Sequence, residues 1–167
     1  RKLKRDIKTL KKLKVDYLYM PVQKEIYPKG YNKKIIISSF GKQLCGKFRP
    51  GHFKGVVDVI DRFLKIIRPR KMYLGEKDFQ QLKIVQHFVK KNKFKTIVVG
   101  CKTIREKNGI AYSSRNLLLS SYEKRIASRV YKFIKNTKTK AVNNKITIKT
   151  IKDKIIFLGV KKIDYLK

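Results

Sequence analysis

The sequence predicts an α/β fold, a parallel sheet with helices on its faces, followed by a smaller α+β segment. Three observations carry this. Helical and extended patterns alternate over residues 1–100, the order that buries a parallel sheet between helices. Two strand-like stretches, the apolar Met72-Tyr73-Leu74 and Phe94 to Val99, each stop at a glycine, Gly75 and Gly100. Beyond residue 102 the alternation gives way to a polar stretch, 102–116, and then to helical patterns. A boundary near 103 divides the chain into 1–103 and 104–167.

The elements follow in order. Leu3, Ile7, Leu10 and Leu13 recur at helical spacing between lysines, which predicts an amphipathic helix over 1–13. Val15 to Tyr19 alternates like a short strand and stops before Pro21, and Pro28-Lys29-Gly30 is a turn. Ile35-Ile36-Ile37 reads as a buried strand, and 41–51 as a glycine-rich loop with Pro50. Val56, Val59, Ile60, Phe63, Leu64 and Ile67 give a helix over 53–67 that Pro69 stops. Met72 to Leu74 is a strand, 79–89 a helix with Asp78 at its N-cap, and 94–99 a strand. Helices are expected at about 121–135 and 147–158, a solvated Lys/Asn/Thr loop at 135–145, and a final strand at 163–166.

The chain has 45 Lys+Arg against 11 Asp+Glu, a formal net charge of +34. That charge alone points to a nucleic-acid or anionic-membrane partner. The lysines are spread between apolar positions along the whole chain instead of forming one stripe, and Ile, Asn and Tyr are frequent too. Biased, AT-rich coding accounts for that mix, so no specific nucleic-acid partner is expected. A basic nucleic-acid-binding protein is the alternative reading. No run approaches the roughly 18 apolar residues of a membrane span, so no membrane partner is expected. Cys45 and Cys101 lack metal-ligand spacing, as do His52 and His87. They read as the reduced thiols of a cytoplasmic protein, and no protein metal site is expected.

The chemistry concentrates in Gly75-Glu76-Lys77-Asp78-Phe79-Gln80-Gln81-Leu82. Here a strand hands over to a helix, the place where open α/β sheets bind ligands. Glycine permits close approach to the backbone, the helix N-terminus favours an anion, and Lys77 adds a point charge for phosphate. The pattern indicates a nucleotide site. Read blandly, Lys77 is one surface lysine among many, Asp78 only an N-cap, and Gln81 a solvent-facing residue.

Three segments in this order resemble the pantothenate synthetase (pantoate–β-alanine ligase) family: Arg49-Pro50-Gly51-His52-Phe53-Lys54-Gly55-Val56, then Gly75 to Leu82, then Arg105-Glu106-Lys107-Asn108-Gly109 running into Ser113-Ser114-Arg115-Asn116. The resemblance implies a Rossmann-like, nucleotidyltransferase-type sheet with a smaller C-terminal domain. It also implies a two-step, ATP-dependent reaction through pantoyl adenylate, with Mg2+, pantoate and β-alanine, in a cytoplasmic enzyme that is a homodimer when complete. Carried over by position, Gly75 and Asp78 lie against the ATP ribose within the nucleotide-binding run that includes Glu76. Lys77 meets the phosphates, and Gln81 meets pantoate. Val56 and Val59 line the pantoate pocket, and Ile104 and Tyr112 meet adenine through their main chains. Ser113, Ser114 and Arg115 close over the phosphates, acting with Lys77 as the catalytic groups. Arg49 is either an anion contact or a tie for its loop, and His52 reads as a helix-start or core residue.

The family's His-x-Gly-His segment has no counterpart among these residues, nor do its last strands after Leu166. The resemblance therefore implies an internal fragment of the enzyme that is not fully active alone; an inactive remnant is a further alternative. Tyr112 stands where the family usually has Met or Leu, and Asn108 replaces an Asp in a turn that Asn-Gly forms equally well. Asp6 falls near the family's acidic magnesium residues, but its neighbour Arg5 argues against a ligand role.

Overall fold

The computed structural model describes residues 3–32 and 34–166. They fall into two compact units that divide between Asn32 and residue 33.

The first unit carries helix α1 (Leu3–Lys12) and the single turn α2 (Gln23–Ile26). α1 matches the expected amphipathic helix; Arg1 and Lys2, the start of that expectation, lie outside the described residues. Lys14 takes φ 52 just past its end, and Val15 N–H returns to Leu10 C=O at 3.1 Å. This left-handed close satisfies the terminal carbonyls. The strand expected over Val15 to Tyr19 does not form, and these residues are exposed. Alternating side chains suit a pleat, but a strand exists only where another strand takes its backbone bonds. The expected turn is present: Gly30 has φ 72 and its N–H donates to Tyr27 C=O at 3.1 Å.

The second unit contains the α/β layer. After the short helix α3 (Cys45–Phe48) come α4 (His52–Ile67), β1 (Lys71–Gly75), α5 (Phe79–Lys91) and β2 (Ile97–Cys101). β1 and β2 pair in parallel, Lys71 opposite Ile97 through Gly75 opposite Cys101. Among the described residues this two-stranded sheet is the only one, consistent with an incomplete Rossmann-like nucleotidyltransferase fold. α4 and α5 pack together and supply most of the core: Phe53, Val57 and Leu64 from α4, and Ile84, Val85, Phe88 and Val89 from α5. Asp58 and Asp61 are buried on α4, and each accepts from a cation one turn on, Arg62 at 2.8 Å and Lys65 at 2.6 Å. Ile35 joins the core, whereas Ile36 is 72% exposed and no strand forms at 35–37. The apolar triplet reflects one buried side chain and not a ladder position. The 41–51 loop is partly helical, holding α3 and a 3-10 turn at Ser39–Lys42.

Beyond β2 lie a one-bridge hairpin (Arg105 opposite Ala111), a 3-10 turn at Ser114–Leu118, and helices α6 (Ser121–Val142) and α7 (Ile148–Phe157). α6 starts on a reciprocal cap: Ser120 Oγ accepts from Glu123 N–H, and the Glu123 carboxylate accepts from Ser120 N–H. α6 runs as far as Val142 into the stretch read as a 135–145 loop, and only 143–145 are turn and bend. Lys and Ala are good helix formers, and Thr137 returns its hydroxyl to Phe133 C=O at 2.7 Å. The strand expected at 163–166 is irregular chain. No helix among the described residues is long and apolar enough to cross a membrane.

Candidate functional site

The carboxyl ends of β1 and β2 lie level, because Gly75 is in register with Cys101. Directly after β1, a 3-10 turn (Glu76–Asp78) aims the chain into α5. Against this turn lies a cleft of ≈ 300 Å³. One side is made by Lys77, Asp78 and the first residues of α5, Phe79, Gln80 and Gln81; the other by Leu44, Cys45, Arg49 and the first residues of α4. The N-terminal ends of two helices thus open into one space, where their dipoles favour an anion. Arg49, His52 and Lys77 add cationic or protonatable groups on the same walls.

The sequence segments reach the cleft for local reasons. Gly51, at φ 78, turns the chain into α4 in the left-handed region where glycine carries no steric penalty. Gly75 has ordinary extended geometry, φ −72, and a β-carbon there would meet nothing within 4 Å. Nothing in the chain itself demands glycine at that point, so its backbone is open to close approach. Asp78 sits at the N-cap of α5 but makes no capping bond. Its carboxylate instead accepts from Lys77 Nζ at 3.0 Å, both groups being substantially exposed.

The structure brings Lys77, Asp78 and Gln81 together with Arg49 and His52. Glu76 turns the other way: a β-carbon on Gly100 would lie 3.5 Å from Glu76 Oε1, so this carboxylate covers the end of β2. Val56 and Val59 are half-buried on α4 and do not line the cleft; Val56 packs against the core. Ile104 and Tyr112 pair across the hairpin, Tyr112 N–H donating to Ile104 C=O at 3.0 Å, with both side chains exposed. Ser113 Oγ accepts from Arg115 N–H at 3.2 Å. Asn116 ties this loop down by donating to Glu106 Oε1 at 2.7 Å and Ala111 C=O at 3.0 Å.

Arg115 makes itself felt at the cleft through His52. Burial, then the positive charges of Arg49 and Arg115, hold the His52 imidazole below its ordinary value of 6.5, with Asp78 opposing. Folding therefore favours the neutral ring. The stability this contributes is present above pH 6.5 and is lost as pH falls through the folded value, because there the unfolded chain binds the extra proton. An NMR titration of the ring should place His52 below 6.5, and added inorganic pyrophosphate should raise it by offsetting the two arginines. A ring that titrates at or above 6.5 without ligand would contradict this electrostatic picture.

Six cleft residues were not singled out as site residues in the sequence: Leu44, Cys45, Phe53, Phe79, Gln80 and Tyr165. Tyr165 reaches the cleft with its ring stacked on Phe48 at 6.2 Å. Helical spacing carried a signal for Gln80, which shares a face with the buried Ile84 and Phe88, and for Phe53, which shares one with Val57 and Leu64. Among the described residues no cluster of three His, Cys, Asp or Glu side chains could hold a metal ion.

The family model for pantoate–β-alanine ligase matches residues 1–167. The chain belongs to the pantoate–β-alanine ligase family. It is 44% identical over 132 residues to the pantothenate synthetase of Sulfurihydrogenibium, covering 79% of this chain and 47% of that protein. It is 38% identical to the pantothenate synthetase of Ruminiclostridium cellulolyticum, over all of this chain and 61% of the relative. Among solved structures, the enzyme from Thermus thermophilus superposes with a TM-score of 0.85 at 32% identity, over 95% of this chain and 59% of that one. The ligase of Francisella tularensis, solved with β-γ ATP and β-alanine, superposes with a TM-score of 0.79 at 32% identity, over all of this chain and 63% of that one. The chain thus spans between about half and three fifths of the length of these family members.

Proposed function

We infer that this chain carries the phosphate- and pantoate-binding part of a pantoate–β-alanine ligase. The carrying observation is the cleft where the N-termini of α4 and α5 meet Arg49, His52 and Lys77, an anion site at the carboxyl end of a parallel sheet. Family membership supplies the substrates. The pantoate carboxylate attacks the α-phosphorus of ATP and expels pyrophosphate. The β-alanine amine then attacks the acyl carbon of pantoyl adenylate and expels AMP.

In this reading Lys77 offsets charge as pyrophosphate departs, Asp78 and Gly75 hold the ribose, and Gln81 bonds pantoate. Ile104 and Tyr112 offer main-chain groups to adenine. Ser113, Ser114 and Arg115 close over the phosphates, and Val56 and Val59 serve the pantoate pocket only if the cleft extends along α4. Residues 1–103 form the ATP- and pantoate-binding part and 104–167 the smaller lid. Both substrates supply their own nucleophiles, so the protein's work is orientation and charge stabilisation. The described residues do not form a cage for Mg2+. In this proposal the ion arrives with the nucleotide phosphates, and no step is assigned to it. Residence in the cytoplasm and a homodimeric assembly belong to the same proposal.

The natural polypeptide that contains these residues should release pyrophosphate from ATP only when pantoate is present, and AMP together with pantothenate once β-alanine is added. Pyrophosphate release indifferent to pantoate would defeat the reading.

A further inference from the structure

Gln80 is the second residue of α5, only 8% exposed, and it makes an unusual set of bonds. Its Nε2 donates both hydrogens, to Phe40 C=O and to Gln43 C=O, each at 2.8 Å. Two carbonyl acceptors fix the orientation of the amide. Its Oε1 is buried with no partner among the described residues. A side chain kept for packing alone would be better as methionine, which fills a similar volume without an unmet acceptor. What the amide adds is a tether between α5 and a segment about forty residues earlier.

That segment forms a wall of the cleft. Its own turns are already closed, by Gln43 N–H on Phe40 C=O at 3.2 Å and Gly46 N–H on Gln43 C=O at 2.8 Å. The residue after Gln43 is Leu44, at φ 45 and ψ −124, a conformation that persists only when its surroundings hold it. The fold is tight as well: a β-carbon on Gly46 would run into Gly41 C=O. Leu44 and Cys45 face the cleft from this wall, opposite Lys77, Asp78 and Gln81.

We propose that Gln80 is a positioning residue: its two bonds set the separation between the 40–46 wall and the first turn of α5, and so the fit of the carboxylate substrate against Gln81. The substrate assignment rests on the proposed function. The tether itself does not.

The test compares Gln80→Met and Gln80→Glu with wild type in the natural polypeptide. Gln80→Met removes the bonds and the unmet acceptor together, so it should unfold at the wild-type temperature. Backbone amide exchange at Gln43 and Gly46 should quicken by about tenfold or more as the wall loosens. KM for pantoate should rise roughly tenfold to a hundredfold, with KM for β-alanine unchanged. Gln80→Glu turns a carboxylate on two carbonyls and should combine the same KM defect with a lowered unfolding temperature. Wild-type exchange and wild-type KM in Gln80→Met would overturn the inference. So would a general loss in which stability falls and both KM values rise together. If wild type itself shows no pantoate-dependent turnover, the proposed function fails, and the exchange rates alone decide the tether.

Discussion

Replacing Lys77 with alanine should lower pantoate-dependent pyrophosphate release by about 10²–10³-fold while leaving the protein folded. The two halves of that expectation come from different observations. Lys77 Nζ lies 3.0 Å from Asp78 Oδ2, but the side chains are 40% and 59% exposed. An ion pair so open to water contributes about 0–1 kcal/mol at most, so its loss barely moves the unfolding midpoint. At the cleft the same ammonium group would face phosphate oxygens whose charge grows as pyrophosphate leaves. Removing one such group from a preorganised site costs about 3–4 kcal/mol in the transition state. The decrease should therefore appear in kcat, measured by continuous detection of pyrophosphate at saturating ATP and pantoate. A variant that releases pyrophosphate at the wild-type rate would remove Lys77 from the chemistry.

Phe53→Ala should lower the unfolding free energy by about 3–5 kcal/mol, read from urea denaturation. Phe53 is 4% exposed and belongs to the cluster that joins α4 and α5. Truncation removes its transfer energy and leaves a cavity that the neighbouring helices fill only in part. Phe53 also lines the cleft, and a β-carbon on Gly46 would sit 3.3 Å from its Cδ2, so the ring props the 40–46 wall. The variant should thus lose pantoate affinity along with stability. Leu64→Ala provides the contrast. Leu64 is 2% exposed in the same core but is absent from the cleft. Its truncation should cost about 2–5 kcal/mol and leave KM unchanged in the folded fraction. Equal effects of both variants on KM would show that the cleft responds to global stability and not to the wall.

The elements that were legible in the sequence share one property: their pattern is local. α4, β1, α5 and β2 each bury one face against the same core, so their apolar spacing states their geometry directly. The elements misread there fail for a different reason. Val15 to Tyr19, Ile35 to Ile37 and residues 163–166 have the residue types of strands, but no strand among the described residues takes their backbone groups. α6 outran its expected end because an exposed helix rich in Lys, Asn and Thr resembles a solvated loop in composition.

The sequence by itself determined the family motifs, the strand-to-helix turn and the presence of Lys77, Asp78 and Gln81 there. A glycine followed by a cation, a carboxylate and an amide is a contiguous signal, and the turn between β1 and α5 places those groups without help from elsewhere. The tertiary structure alone decided what faces them. Arg49 and His52 come from the start of α4, Leu44 and Cys45 from the wall before it, and Tyr165 from the far end of the chain. It also decided that Glu76 covers Gly100 and that Gln80, next to a predicted substrate contact, points into the protein as a tether. Spacing along a chain reports which residues share a face. Packing of α4 and α5 decides which faces meet, and the cleft exists only where their two N-terminal ends are brought together.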